Sequence, residues 1–211
     1  MRNPWMWPWV LLCLCSSAAA QTLAVQMVDP AGRGMVMGPT GSIAGHRLVY
    51  PCSVPGQCAP RRDASVWTAK GSRLALPGAA GSVVVLPAAI GDGDVVAGTL
   101  SDSATTATAG VWRQSGGTYV FEALGRLGLE QSWATGIDAA GRVVGYATTP
   151  FVQTLPFVWT AAGGQVDLHA LGAPAERIHA VSPGGRAVTD AHSYLLQPPA
   201  QARCHQREHP G

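Results

Sequence analysis

The stretch GIDAAGRVVGYA, residues 136–147, reads as a strand, a tight turn and a second strand. Asp138 can hydrogen-bond the backbone two residues on, and Gly141 supplies a left-handed or otherwise strained conformation. From Arg142 onward the chain is β-branched and small, which suits a strand. The same pattern recurs. MGPTGSIAG (37–45), IGDGDVVAG (90–98, with one extra residue), IDAAGRVVG (137–145) and VSPGGRAV (181–188) each place a Gly-containing turn before an apolar pair. The last copy ends in Thr189 where the others have Gly. The turn glycines Gly41, Gly93, Gly141 and Gly185 lie 52, 48 and 44 residues apart.

A second landmark keeps the same beat. ASVWTAKG (64–71), AGVWRQSGG (109–117) and LPFVWTAAGG (155–164) each place Val-Trp before a polar, Gly-containing turn. Trp67, Trp112 and Trp159 are 45 and 47 residues apart, and HSYLLQP (192–198) stands at the fourth position with Leu196 in place of Trp. Two landmarks in one order and at one period of 40–50 residues mean a repeat architecture. Within the third unit the residues predict four strands, over 133–137, 142–149, 155–160 and 165–171. Four antiparallel strands in about 45 residues make the blade of a β-propeller. The expected fold is all-β: four repeats of about 45 residues forming a small, four-bladed propeller. The fourth unit stops near Leu196 and lacks its last strand, whereas TLAVQMV (22–28) is a strand without a place in the first unit. Pairing the two would close the ring and remove its exposed sheet edges.

ATGIDAAGRVVGYA (134–147), PFVWTAAGGQVDLHALG (156–172) and ERIHAVSPGGRAV (176–188) resemble the bacterial extracellular HAF-repeat family. That unit runs apolar-x-x-Gly-x-Val-Val-Gly, then His-Ala-Phe-x-Trp, then an aspartate-leucine-leucine-glycine tail. His192-Ser193-Tyr194 echoes the His-Ala-Phe tripeptide, and only Phe157 of it survives in the third unit. The resemblance covers 130–198 well and 32–125 diffusely. It implies a secreted repeat protein without a defined activity. Many members carry a C-terminal cell-surface sorting signal; ARCHQREHPG at the end of this chain is not one, which points to a periplasmic or released protein.

Composition bounds the rest. Of 211 residues, 47% are hydrophobic and 12% charged, so the chain can build a core and is not intrinsically disordered. A formal charge of +2, reduced by one if Arg2 is removed, is no electrostatic footprint for nucleic acid and little attraction to anionic lipid. The opening MRNPWMWPWVLLCLCSSAAA has one positive charge, a short apolar run and an A-x-A site, the pattern of a signal peptide over 1–20 cleaved after Ala20. The apolar run is too short for a membrane span, and no later segment is long and apolar enough for one. The β-repeat domain is then 21–198 and a polar tail 199–211. Cys52 and Cys58 flank the turn dipeptide Pro55-Gly56 and are read as a disulfide in an oxidising compartment; Cys204 is left over in the tail.

Residues that could carry chemistry read better as structure. His46, His169, His179 and His192 are spread one per unit or loop, without a metal-binding pair spacing. Asp92 and Asp94 form an acidic turn without further oxygen ligands at EF-hand spacing. There is no G-x-S-x-G, no H-E-x-x-H and no phosphate-binding glycine loop. Trp67, Trp112 and Trp159 are expected to pack between blades, and Trp133, in a connecting loop, to offer an exposed contact. No catalytic residue, cofactor or metal is assigned. The expectation is a secreted or periplasmic, non-catalytic interaction module whose partner is an envelope or extracellular protein. A carbohydrate-binding protein and a secreted hydrolase are the alternatives.

Overall fold

A computed structural model describes residues 32–49, 61–78, 84–101, 106–149, 154–174 and 176–196. The signal segment 1–20, the strand expected over 22–28, Cys52 and Cys58, Cys204 and the tail 199–211 lie outside the described residues. Among the described residues there is no α-helix, and no helix long and apolar enough to cross a membrane.

The chain forms four antiparallel sheets, each a meander in sequence order. The first contains β1 (Gly32–Met37), β2 (Ile43–Val49), β3 (Arg61–Trp67) and β4 (Arg73–Ala75). The second contains β5 (Val84–Ile90), β6 (Val96–Ser101), β7 (Ala107–Ser115) and β8 (Thr118–Gly125). The third contains β9 (Gln131–Ile137), β10 (Val143–Thr148), β11 (Thr154–Thr160) and β12 (Gly164–Asp167). The fourth has three strands, β13 (Ile178–Val181), β14 (Arg186–Thr189) and β15 (Ser193–Leu195).

The repeat read in the sequence is a repeat of geometry. Gly41, Gly141 and Gly185 have φ of +85°, +74° and +80°. In the longer second copy both Gly93 (φ +66°) and Asp94 (φ +57°) are left-handed, and a 3₁₀ turn over Asp92–Asp94 absorbs the extra residue. Every turn closes with the same backbone bond, from Gly38 N to Ser42 O (2.7 Å), Gly91 N to Val95 O (2.8 Å), Asp138 N to Arg142 O (3.0 Å) and Ser182 N to Arg186 O (2.8 Å).

Each first strand also carries a β-bulge at one place, two residues before its last apolar residue. The ladder skips Met35, Ala88, Thr135 and His179 in turn. Opposite the residue before each bulge stands Gly45, Gly98, Gly145 or Thr189. A Cβ at the three glycines would overlap the main-chain carbonyl oxygen of Arg33, Leu86 or Trp133. The first two strands therefore approach more closely than any side chain permits. Thr189 is tolerated in the fourth sheet because that ladder begins at Ile178–Thr189, whereas the other three continue outward for two or three more pairs.

Three apolar layers hold the sheets to their neighbours. Trp112 is fully buried with Val96 and Ile90 against Ala44, Ala64 and Val66 of the first sheet. Its indole N–H donates to Pro77 O (2.8 Å), and its ring meets Phe121 at 4.8 Å. Trp159, 5% exposed, sits with Val143 and Phe157 against Ala97 and Val111 of the second sheet. Ile178 and Ala187 pack on Val144 and Val158 of the third. Each sheet thus plugs the preceding one, and β5, β9 and β13 lie against the strands before them.

Three details depart from the sequence reading. The last strand of the third unit ends at Asp167 rather than 171, because the Asp167 carboxylate accepts the His169 N–H (2.8 Å) and the chain turns over Leu168–Gly172. Trp133 is half-buried inside β9, opposite Tyr146, and not in a connecting loop. In the fourth sheet Ala187 pairs with Tyr194, as Ile43, Val96 and Val143 pair with the three Trp. The Trp position therefore belongs to Tyr194. Leu196 lies two residues beyond it, packed on the Val144, Ile178 and Ala187 cluster. The cause is the short Asp190–Ala191 connection, closed by Thr189 N to His192 O (2.9 Å), where five to eleven residues separate the corresponding strands of the other units.

Two substitutions separate packing from backbone strain. Gly145→Ala must push the Trp133 carbonyl and the Phe157 ring aside, and costs about 3 kcal/mol. Gly141 has open space around its Cβ position, so Gly141→Asn costs about 1 kcal/mol or less, from the left-handed conformation alone. Denaturant unfolding reads both; equal losses would contradict the close approach.

Candidate functional site

The ends of the four first strands converge on one cavity of about 590 Å³. Val36–Pro39, Ala88–Asp92, Ile137–Ala139 and Val181 with Pro183 line it, one group from each sheet. These are the repeated turns themselves. Met37, Ile90, Ile137 and Val181 are equivalent residues, and so are Gly38, Gly91, Asp138 and Ser182. The turns stand close together: a Cβ at Gly38 would meet Ile90 at 2.7 Å, and one at Gly91 would meet Ile137 at 3.1 Å. Ile90 and Ile137 are 6% and 8% exposed, whereas Met37 is 72% exposed on the first sheet.

Polar bonds tie the turns to one another. Thr40 Oγ1–H donates to Asp94 Oδ1 (2.8 Å), joining first and second sheets. Ala139 N–H donates to Pro183 O (3.1 Å), joining third and fourth. Asp138 has a fully buried side chain, and its charge is matched. It accepts the N–H groups of Ala140 and Arg142 (2.9 Å each) and the Arg142 Nε–H (2.6 Å). Arg142 Nη1–H then donates to Leu196 O (2.7 Å), so one ion pair fixes both the turn of the third sheet and the end of the fourth. Among the described residues the carboxylates lining the cavity are Asp138 and the exposed Asp92, and no basic side chain lines it.

A second polar cluster lies in the fourth sheet. Glu176 accepts from Thr189 Oγ1–H (2.5 Å) and from His192 Nδ1–H (2.9 Å). Asp190 accepts from His179 Nε2–H (2.6 Å). The Thr189 hydroxyl holds the Glu176 carboxyl below its ordinary range, with His192 adding to it; the His179 hydrogen bond does the same for Asp190. The Tyr194 hydroxyl is buried without a hydrogen-bond partner among the described residues, and burial raises its pKa. The Thr189 hydroxyl also accepts the His192 main-chain N–H (3.0 Å), so one side chain joins the Glu176 carboxylate to the turn between β14 and β15.

Among the described residues no group of three or more His, Cys, Asp or Glu side chains is placed to hold a metal. His46 lies on β2, and the His169 ring is bonded to Ala173 O (2.9 Å). The three repeat Trp are at most 5% exposed and offer no face for a sugar ring. Sequence reasoning did not find the cavity. The signal was present in the register of the four turns, since equivalent residues must meet if the sheets surround an axis. Comparison of the chain with protein families, curated proteins and solved structures returns no match.

The carboxylates of the fourth sheet make an acid test. Their pKa values are lowered in the folded state, so the stability they contribute is present above the unfolded carboxylate range and is lost as pH falls through the folded values. Melting temperature should therefore drop as pH falls below the ordinary carboxylate range. Thr189→Val removes the main cause at Glu176 and should shrink that drop while lowering the melting temperature at pH 7. An undiminished acid drop in the variant would contradict the assignment.

Proposed function

We propose that this is an exported, non-catalytic β-repeat protein, an extracellular repeat protein of the HAF type, that docks a protein partner at the cell envelope or outside the cell. The observation that carries this reading is the cavity at the meeting point of the four turns. Its walls are mostly apolar, one of its two carboxylates is consumed by Arg142, and its floor is held by turn-to-turn bonds. Such a wall holds a group rather than transforms it. A photo-crosslinking residue at Pro39 or Ala139, both exposed at the turn end, should capture one protein from the native envelope. The same residue at Glu130, which precedes β9 at its opposite end, should not. Equal capture from both ends, or from neither, would count against a docking end.

The four sheets are further proposed to close into a small four-bladed propeller, with residues 22–28 completing the fourth sheet. The repeat supports this. Ala44, Ala97 and Val144 are equivalent and fully buried beneath the next sheet, whereas Val188, the fourth equivalent, is 49% exposed. The matching plug is Trp67 of the first sheet. Among the described residues three of the sheets have four strands and the fourth has three, with β15 at its edge, where a seven-residue strand would fit. Deleting residues 21–30 should then unfold the domain or drive it to oligomers. A monomer with an unchanged melting curve would contradict closure by this strand.

A further inference from the structure

The cavity has a chemical bias that its apolar floor alone does not explain. Ile90, Ile137 and Val181 give a floor suited to an aliphatic group, and the volume of about 590 Å³ lies in the range of small-ligand sites, roughly 300–1,000 Å³. Met37 forms an open side wall, 72% exposed, and an unbranched thioether adapts its shape to what it covers. The rim is negative. Arg142 neutralises Asp138, the neighbouring Asp94 accepts the Thr40 hydroxyl, and Asp92 stands exposed on the 3₁₀ turn with no cation among the described residues lining the cavity opposite it. In a chain with only 12% charged residues, an unmatched carboxylate beside an apolar cavity selects by charge as well as by shape.

We propose that the cavity receives a compact aliphatic side chain of a protein partner and that Asp92 pairs with a basic residue next to it. This rests on the docking reading above. A peptide with leucine followed by lysine matches both features: leucine enters against Ile90, Ile137 and Val181, and the ammonium reaches the rim carboxylate. An acidic neighbour would meet Asp92 as a like charge. Because Asp92 is exposed, the preference is modest, about 2- to 5-fold at low salt, and falls as salt screens it.

The test uses the full chain and three capped tripeptides, Ala-Leu-Lys, Ala-Leu-Glu and Ala-Gly-Lys, followed through the methyl signals of Ile90, Ile137 and Val181. Ala-Leu-Lys should shift these signals and bind about 2- to 5-fold more tightly than Ala-Leu-Glu at low salt. Ala-Gly-Lys should leave them unmoved. Asp92→Asn should abolish the lysine preference without removing leucine binding, and Ala139→Trp, on the exposed turn, should block the cavity to both leucine peptides. Equal binding of the lysine and glutamate peptides, or a lysine preference that survives Asp92→Asn, overturns the proposed charge selection. If no peptide moves the methyl signals while the Pro39 crosslink persists, the inference fails and the docking end stands; loss of both removes the docking reading itself.

Discussion

The close approach of the first two strands in each sheet is the constraint on which this architecture depends. At Gly45, Gly98 and Gly145 the opposing carbonyl occupies the volume of a side chain, and next to each contact the first strand carries a bulge. A bulge sharpens the right-handed twist of its strand. Repeating it at one place in four sheets turns each first strand the same way, so that four turns end at one point. The cavity follows from this, because equivalent residues of successive sheets have nowhere to go except toward one another. The apolar layers then fill the wedge between neighbouring sheets, with Trp112 and Trp159 as the plugs.

Much of this was legible in the sequence because it rests on residues with few substitutes. A left-handed turn position favours Gly, and four such glycines set the period. A plug large enough to fill a wedge between sheets favours Trp, and three of them gave the second landmark. The four-stranded unit read from the third repeat matches β9–β12 within a few residues. The bulges were not legible, because Met35, Ala88, Thr135 and His179 share no chemistry; what the position requires is an unpaired residue, not a particular side chain. The fourth sheet misled for a related reason. Its hairpin turns over Asp190–Ala191 where five to eleven residues separate the corresponding strands of the other units, so the position read as Leu196 falls at Tyr194 instead. Asp167 ended a strand that alternation alone would have continued.

The polar groups divide between those that hold the turns and those left over. Asp138 and Arg142 belong to the first kind: an ion pair with a fully buried carboxylate is costly to desolvate, yet here Asp138 also accepts from the backbone of its own turn and Arg142 donates to the backbone at the end of the fourth sheet. Asp92 belongs to the second. The contrast between two carboxylates at equivalent ends of the fold, one satisfied and one open, gives the turn end a direction in charge that the low overall charge of the chain would otherwise hide.

Closure of the ring requires that the fourth sheet meet the first. If the repeat extends around the axis, Val188 must lie beneath Trp67 as Ala44 lies beneath Trp112 and Ala97 beneath Trp159. The most direct measurement is the nuclear Overhauser contact between the Val188 methyl groups and the Trp67 indole in the full chain. The account predicts a strong contact that protects Val188 from a soluble paramagnetic probe. A Val188 that shows no such contact and relaxes freely with the probe would mean that the four sheets form an open array, and the proposed propeller would have to be abandoned.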